Sequence, residues 1–195
     1  ATSILNQIIA SALEANAVHP YDGLNFFHSA HLCNALKSSV GTFDNDHSGG
    51  GTALSAPALA TARQNFRKIK GANGKALGLR LTHVLVPPEL EETAISLRER
   101  SLVVESGAAV DNIYKGSFQI IVSDELTGAA TWYPLALNKP GMFPWVVQDQ
   151  GAPEEILSDK SSHLYATTLK VGVAYILRAN GALALPHCIQ RFAGT

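Results

Sequence analysis

An acidic loop is the first group of residues in this sequence whose types and spacing could bind a ligand. The segment Asp44–Gly49 starts like a calcium-binding loop, with oxygen ligands at alternate positions and a glycine at the sharp turn. The twelfth position of such a loop needs a bidentate glutamate, and here it is Ser55. The segment from Asp44 to Ser48 therefore fits a plain Asp/Ser/Gly loop better than a calcium site.

A second group combines His28, His31 and Cys33, three potential zinc ligands within six residues. No second ligand cluster with short spacing accompanies them, although His187 and Cys188 could approach in space. The alternative is a histidine pair at the edge of an aromatic core, hydrogen-bonded to the backbone. The sequence favours this alternative, so no metal ligand is predicted.

The two cysteines, Cys33 and Cys188, could each pair with a histidine as a nucleophile. No motif orients such a pair, and the Gly-x-Ser-x-Gly, Cys-x-x-Cys and His-Glu-x-x-His signatures are absent. Gly74-Lys75-Ala76 lacks the Ser or Thr that a phosphate-binding loop requires. We predict no catalytic residue, no cofactor-binding residue and no cofactor, and we expect both thiols to be reduced core residues, with a single disulfide as the alternative.

The composition is that of a globular protein with few charges. Of the 195 residues, 46% are hydrophobic and only 16% are charged, which suggests that part of the surface is buried against partners. Fifteen basic and 16 acidic residues give no global positive field. Five basic residues could face nucleic acid, but a solvated helix face is the preferred interpretation. They are Arg63, Arg67, Lys68, Lys70 and Lys75.

Neither a membrane anchor nor a signal peptide is expected. Residues 1–20 contain no Lys or Arg, and no apolar run approaches the length of a membrane span. We therefore expect a soluble protein that is made and used in a cytoplasm.

Helices are predicted first along the chain. Ser3 is a candidate N-cap for a helix that ends before His19-Pro20, with one apolar face formed by Ile4, Leu5, Ile8, Ile9, Ala12 and Leu13. The aromatic segment around Phe26 and Phe27 is expected to pack back onto this helix. Residues 38–52 are predicted to be a surface loop with little to bury.

A helix, a strand and a second helix follow. Ser55 is the expected cap of the first helix, whose apolar stripe consists of Leu59, Ala62, Phe66 and Ile69. Leu79–Val86 is predicted to be a buried strand that Pro87-Pro88 ends, and Glu89–Arg100 a helix with acids in its first turn.

Strands dominate the remainder, so the predicted fold class is α+β. We expect strands at Ser117–Ser123, Thr131–Leu137, Trp145–Gln150 and Tyr165–Leu177. Leu183–Phe192 is a weaker candidate because Pro186 interrupts it.

The stretch Lys70–Leu90, a Gly-rich turn and a strand that ends in Val86-Pro87-Pro88, closely resembles a segment of the Mu-like phage major head subunit family. Collinear likenesses extend over most of the chain. They are Tyr21-Asp22-Gly23 followed by Phe26, Phe27 and His31; the helix Ser55–Ile69; Trp132-Tyr133; Gln148–Glu154; and Gly172-Val173.

The resemblance implies a Hong Kong 97-type major capsid fold. Residues 1–54 would form the end of the spine helix and a peripheral segment with its loop, 55–144 mainly the axial domain, and 145–195 the returning peripheral strands. The N-terminal arm, the extended loop and most of the spine helix have no counterpart ahead of Ala1, and Ala184-Leu185-Pro186-His187 stands where the family tends to be aromatic.

The resemblance also implies a function, that of a structural subunit of a tailed-phage icosahedral head and not an enzyme. Its partners would be many copies of itself in hexamers and pentamers, neighbouring capsid, portal or decoration proteins, and non-specifically packaged double-stranded DNA, with no membrane. The chain would be assembled in the bacterial host cytoplasm and located in the virion. The alternatives are an encapsulin-like nanocompartment shell and a small Cys/His hydrolase.

Overall fold

The computed structural model describes residues 2–49, 52–105, 108–149, 154–157, 167–168, 173–176 and 179–194. Within them the helices are α1 (Thr2–Ala15), α2 (Ala56–Lys68) and α3 (Glu91–Glu99). The strands are β1 (His31–Leu32), β2 (Thr42–Phe43), β3 (Asp46–His47), β4 (His83–Val86), β5 (Leu102–Glu105), β6 (Ala108–Asp111), β7 (Gln119–Val122), β8 (Thr131–Leu135), β9 (Trp145–Asp149), β10 (Glu154–Leu157), β11 (Val173–Ile176), β12 (Ala179–Leu183) and β13 (Arg191–Ala193).

Helix α1 is present as predicted, with two corrections at its amino end. It begins at Thr2, so Ser3 lies inside the helix, and Ile4, expected on the apolar face, is 53% exposed. The helix ends where Asn16 adopts a left-handed conformation with φ 46°, which an asparagine tolerates better than most residues. The Asn16 side chain accepts a hydrogen bond from the Phe27 amide at 2.7 Å, and this bond holds the aromatic segment against the helix, as expected.

The predicted cap of α2 is confirmed. The Ser55 hydroxyl accepts a hydrogen bond from the Ala58 amide at 3.4 Å. All four residues of the predicted apolar stripe are buried: Leu59, Ala62, Phe66 and Ile69.

Strand β4 is shorter than predicted. Leu79 and Leu81 are buried, but the strand begins only at His83. Ahead of it, the backbone is held by a side chain in place of a neighbouring strand, because the Arg80 amide donates to Asn138 Oδ1 at 2.8 Å. Apolar composition predicted the burial correctly but could not predict which group would satisfy the backbone.

Strand β4 lies in a five-stranded mixed sheet of order β3-β13-β8-β4-β7. It pairs in parallel with β7 and antiparallel with β8, and β13 pairs antiparallel with β8 and in parallel with β3. Helix α3 packs against β4 and β7. Helices together with strand pairs that are mostly antiparallel confirm the predicted α+β class.

The two faces of this sheet bury separate cores. Val84 and Val86 point to a core around α2, whereas Leu85 points to a core around α1, as the two-residue alternation of a strand requires. The α2 core contains Leu59, Ala62, Phe66, Leu79, Val84, Val86, Ala94, Trp132 and Phe192. The α1 core contains Ala10, Leu13, Phe26, Phe27, Leu85, Tyr133, Leu135 and Ile189.

The prediction that residues 38–52 form a surface loop with little to bury is wrong in part. Phe43 is 7% exposed and Asn45 is fully buried, and β3 joins the edge of the central sheet. The polar composition was misleading because the Asn45 amide finds hydrogen-bond partners in the interior.

The later strands agree only partly with expectation. Strand β9 confirms the predicted strand from Trp145 and pairs with β12, which packs on α1. Strand β11 lies within the predicted strand Tyr165–Leu177 and pairs with β10, but Thr167 and Thr168 are helical, so that strand is not continuous. Pro186 interrupts the last predicted strand with a 3₁₀ turn, and the β5–β6 hairpin was not predicted.

Some residues that carried the resemblance lie outside the described residues, namely 150–153 and Gly172. No helix in the described part of the chain is long and apolar enough to cross a membrane.

Candidate functional site

The structure brings several of the chemically capable residues together in one place, which we call the polar hub: Asp22, His31, Asn45, Asp46, His187 and Arg191. The turn after α1 supplies Asp22, and β1 supplies His31. Residues at the start of β3 provide Asn45 and Asp46, and the 3₁₀ turn and β13 provide His187 and Arg191. The hub therefore joins the amino-terminal quarter of the chain to its last strand.

The side chains of Asp22 and His31 are fully buried and hydrogen-bonded to each other. His31 Nδ1 lies 2.8 Å from Asp22 Oδ2, and its Nε2 lies 3.0 Å from the Phe26 carbonyl oxygen. Burial would raise the pKa of Asp22, but hydrogen bonds from His31 and the Leu32 amide outweigh burial and lower it.

Asn45 is the central hydrogen-bonding residue of the hub. Its Nδ2 donates to the Phe26 carbonyl at 2.9 Å and to the Pro186 carbonyl at 3.2 Å, and its Oδ1 accepts from the His28 amide at 2.9 Å. One fully buried side chain thus joins three backbone groups, one of them 141 residues away.

Asp46 and Arg191 form a two-point ion pair. Arg191 Nη2 donates to Asp46 Oδ2 at 2.7 Å, and its Nε donates to Oδ1 at 3.1 Å. Burial raises the pKa of Asp46, but the hydrogen bonds from Arg191 and Ser48 have the larger combined effect and lower it. The guanidinium also lies 5.1 Å from the centre of the Phe27 ring.

These contacts account for the acidic loop that starts like a calcium site. The Asp46 carboxylate is bonded to Arg191, and Asp44 Oδ1 accepts from the Asp46 amide at 2.8 Å in a local turn. His47 Nε2 lies 3.0 Å from Nδ2 of Asn65 on α2. The loop's polar atoms therefore hold the loop to the fold.

His28, His31 and Cys33 are also engaged separately. His28 Nδ1 accepts from the Ala30 amide at 3.0 Å, and both ring nitrogens of His31 are occupied. Across the described ranges, no group of three or more His, Cys, Asp or Glu side chains is arranged to hold a metal ion.

His187 is the buried titratable group of the hub with an open bonding position. Its ring packs on Phe43 with centroids 4.3 Å apart and on Tyr21 at 5.3 Å, and Nδ1 has no hydrogen-bond partner among the described residues. Burial, followed by the charge of His31, lowers the pKa of His187 to about 4. The ring is therefore neutral at pH 7.

The two cysteines are buried and unpaired. Burial raises the pKa of Cys188 to about 11, so its reactive thiolate form is scarce at neutral pH. Cys33 lies beside the hub, where its carbonyl oxygen accepts from the Tyr21 hydroxyl at 3.1 Å. The arrangement is that of structural thiols.

The five basic residues singled out in the sequence, Arg63, Arg67, Lys68, Lys70 and Lys75, are all exposed. The Arg63 guanidinium lies 5.4 Å from the centre of the Tyr114 ring. Their placement matches a solvated face on α2 and the turn after it.

Sequence reasoning missed Asn45 and Arg191 as structural residues. An asparagine between two aspartates is an ordinary turn signal, and nothing near Arg191 in the sequence indicates a partner 145 residues away. No local signal could have found this pair.

A protein-family model described as phage capsid protein matches residues 2–183, so the chain belongs to this family. The "Mu-like prophage FluMu major head subunit" of Haemophilus influenzae is 42% identical over 74 residues, which are 37% of this chain and 24% of that protein. The "Major capsid protein" of Escherichia phage Mu is 41% identical over 63 residues, 32% of this chain and 21% of that protein. The chain therefore matches about a quarter or less of the length of these relatives.

Two solved structures are similar at 14% identity. A capsid of an empty GTA particle aligns with 94% of this chain and 61% of its own, with a TM-score of 0.46. The holo-SrpI encapsulin complex of Synechococcus elongatus aligns with 70% of this chain and 62% of its own, with a TM-score of 0.25. The predicted resemblance to Mu-like head subunits is confirmed by the family match and by the two curated relatives.

Proposed function

We propose that the chain is a structural subunit of a tailed-phage icosahedral head, of the Hong Kong 97-type fold, that self-assembles into capsomers around the genome. The observation that carries this proposal is the match of the phage capsid family over residues 2–183, together with relatives named as head and capsid subunits. Copies of the chain would form hexamers and pentamers beside portal or decoration proteins. Assembly would take place in the host cytoplasm and the product would be the virion shell.

The division into domains is part of the proposal. Residues 1–54 and 145–195 would form the peripheral domain, and residues 55–144 mainly the axial domain. The packing of β12 on α1 supports the peripheral part of this division, because it joins the late strands to the first helix.

The surface of the β9–β12 ribbon is suited to assembly. Phe143, Val146 and Val147 are 52%, 54% and 44% exposed, and they lie close together in sequence. Val146 and Val147 are consecutive residues of β9, so they lie on opposite faces of the ribbon. Exposed apolar side chains on both faces are typical of a segment that other protein surfaces cover. We expect this ribbon to contact neighbouring copies.

Electron microscopy and sedimentation of the purified chain test the proposal. The unmodified chain should form large multi-copy assemblies, and Val146→Asp with Val147→Asp should reduce their yield at least tenfold, because two charges would be buried at the contact. A strictly monomeric unmodified chain at high concentration would contradict the proposal.

The matched control adds two carboxylates elsewhere. Ala60 and Gln64 are exposed positions on α2, so Ala60→Asp with Gln64→Asp should leave assembly intact. Circular dichroism of both variants should show the native helix and strand content. If the ribbon variant assembles as well as the control, the ribbon is not part of the interface.

A further inference from the structure

The charged residues of this chain are segregated along the sequence. None of the 16 aspartates and glutamates lies between residues 47 and 88, and this stretch contains six of the 15 lysines and arginines. All six side chains are exposed: Arg63, Arg67, Lys68, Lys70, Lys75 and Arg80. A chain with a net charge of only −1 thus has one strongly positive stretch.

The positive charges gather before the amino end of β4. The Gly71 amide donates to the Lys75 carbonyl at 2.9 Å, which closes the turn between Lys70 and Lys75. A Cβ added to Gly78 would lie 4.0 Å from Lys139 Cε, so that lysine is close to the same segment. We define the basic end of the subunit as Lys70, Lys75, Arg80 and Lys139.

The negative charges gather at the opposite end of β4. Because β4 and β7 are parallel, their carboxyl ends meet at one edge of the sheet, where the Ser123 amide donates to the Val86 carbonyl at 3.0 Å. Glu89 follows β4 and Asp124 follows β7 at this edge, and both are exposed. We define the acidic end as Glu89, Glu91, Glu92 and Asp124, since Glu91 and Glu92 form the first turn of α3.

Neither end is neutralised by the other within the subunit. Among the residues that the structure describes, no ion pair involves a member of the basic or the acidic end. The four residues of β4 separate the ends by about 13 Å or more, beyond the distance of about 8 Å over which salt screens exposed charges. Both sets of charges are therefore available to another molecule.

We propose that the basic end of one copy contacts the acidic end of the next copy. The two surfaces differ, so the contact is head-to-tail and generates a ring when the rotation between copies closes. Charge complementarity of this kind fixes the register and suppresses wrong pairings. The inference rests on the proposed function, which requires neighbouring copies, and it specifies which surfaces meet.

Two charge-reversal variants of the full chain test this contact. Lys70→Glu, Lys75→Glu, Arg80→Glu and Lys139→Glu together make both ends acidic. Glu89→Lys, Glu91→Lys, Glu92→Lys and Asp124→Lys together make both ends basic. At low ionic strength each variant alone should associate at least tenfold more weakly than the unmodified chain. An equimolar mixture of the two should associate again, because acidic and basic ends alternate in the mixture.

A third variant carries all eight substitutions and has the net charge of the unmodified chain. It should assemble like the unmodified chain, since the two ends have exchanged their signs. Association that is equal in all variants would overturn the inference, and so would a folded eight-substitution variant and a mixture that both stay dissociated. In the second case, binding of a double-stranded DNA fragment by the unmodified chain, and its loss in the variant whose basic end is replaced by glutamates, would assign the basic end to nucleic acid.

These results separate the two proposals. If the unmodified chain assembles and the reversals have no effect, only the head-to-tail contact is wrong. If the unmodified chain never associates, the shell function and the contact both fail.

Discussion

The unit α2–β4–α3 and the polar hub reach similar burial by different means. In the first, apolar side chains at helix and strand spacing, such as Phe66 and Val84, meet across one core. In the hub, polar side chains are buried because partners from distant parts of the chain satisfy them, as Asn45 is satisfied by Phe26 and Pro186. The first arrangement is encoded locally, whereas the second exists only after the ends of the chain have met.

This difference implies different kinds of sensitivity. A buried apolar side chain loses contact area when it is truncated, and the loss follows the size of the cavity. A buried polar side chain leaves its partners without hydrogen bonds, so the loss depends on how many groups it served. Substitutions in the α2 core therefore measure lost packing, and substitutions in the polar hub measure lost hydrogen bonds.

The largest effect is expected in the α2 core. Phe66 is fully buried, so Phe66→Ala should lower the free energy of unfolding by about 3–5 kcal/mol. Urea denaturation followed by circular dichroism measures the change. Gln64→Ala, at an exposed position on the same helix, should change stability by less than about 0.5 kcal/mol.

In the hub, His187 should make stability depend on pH. Its pKa is about 4 in the fold and 6.5 when it is unperturbed, so between these values the unfolded chain binds more protons. This contribution to stability is complete above pH 6.5 and is lost as the pH falls toward 4, by on the order of 3 kcal/mol.

The variant His187→Phe should remove that part of the pH dependence, because a phenyl ring keeps the packing on Phe43 and cannot bind a proton. Denaturation midpoints of both proteins between pH 7 and pH 4 provide the comparison. Parallel curves would show that His187 does not titrate on unfolding. Asp22 and Asp46, whose pKa values are lowered in the fold, affect stability in a more acidic pH range. They stabilise the fold above the pKa of the unfolded chain, and this stabilisation is lost as the pH falls through their folded pKa.

A somewhat smaller loss is expected for Asn45→Ala, which leaves buried backbone groups unsatisfied. We expect a decrease of about 2–3 kcal/mol in the free energy of unfolding. Asn34 is the control, because its side chain bonds two backbone groups, Leu36 and Ala72, near the surface. If Asn34→Ala costs as much as Asn45→Ala, burial does not explain the importance of the hub.

The smallest effect is local to α2. Ser55→Ala removes the side chain that caps the helix, and the expected cost is about 1 kcal/mol. Ser55→Asp should retain most of the stability, since aspartate is also a good capping residue. Thermal unfolding monitored at 222 nm distinguishes the two variants.

The sequence predicted much of the fold where the signals were periodic. Leu59, Ala62 and Phe66 lie at helical spacing after a serine and Pro57, and this pattern located α2 almost to the residue. The stretch before Pro87-Pro88 was correctly predicted to be buried, although the strand proved shorter because Asn138 bonds the backbone ahead of it. The likeness of Lys70–Leu90 to head subunits indicated the family that the wider comparison confirmed.

The sequence by itself thus determined the helices, the buried strand β4 and the family of the protein, because these depend on short-range patterns of side chains. The tertiary structure alone decided that β3 and β13 lie in one sheet and that Asp46 bonds Arg191. It also decided that Asn45 is buried. The physical reason is that burial of a polar residue is costly unless a partner satisfies it, and the partners Pro186 of Asn45 and Arg191 of Asp46 lie more than 140 residues away along the chain.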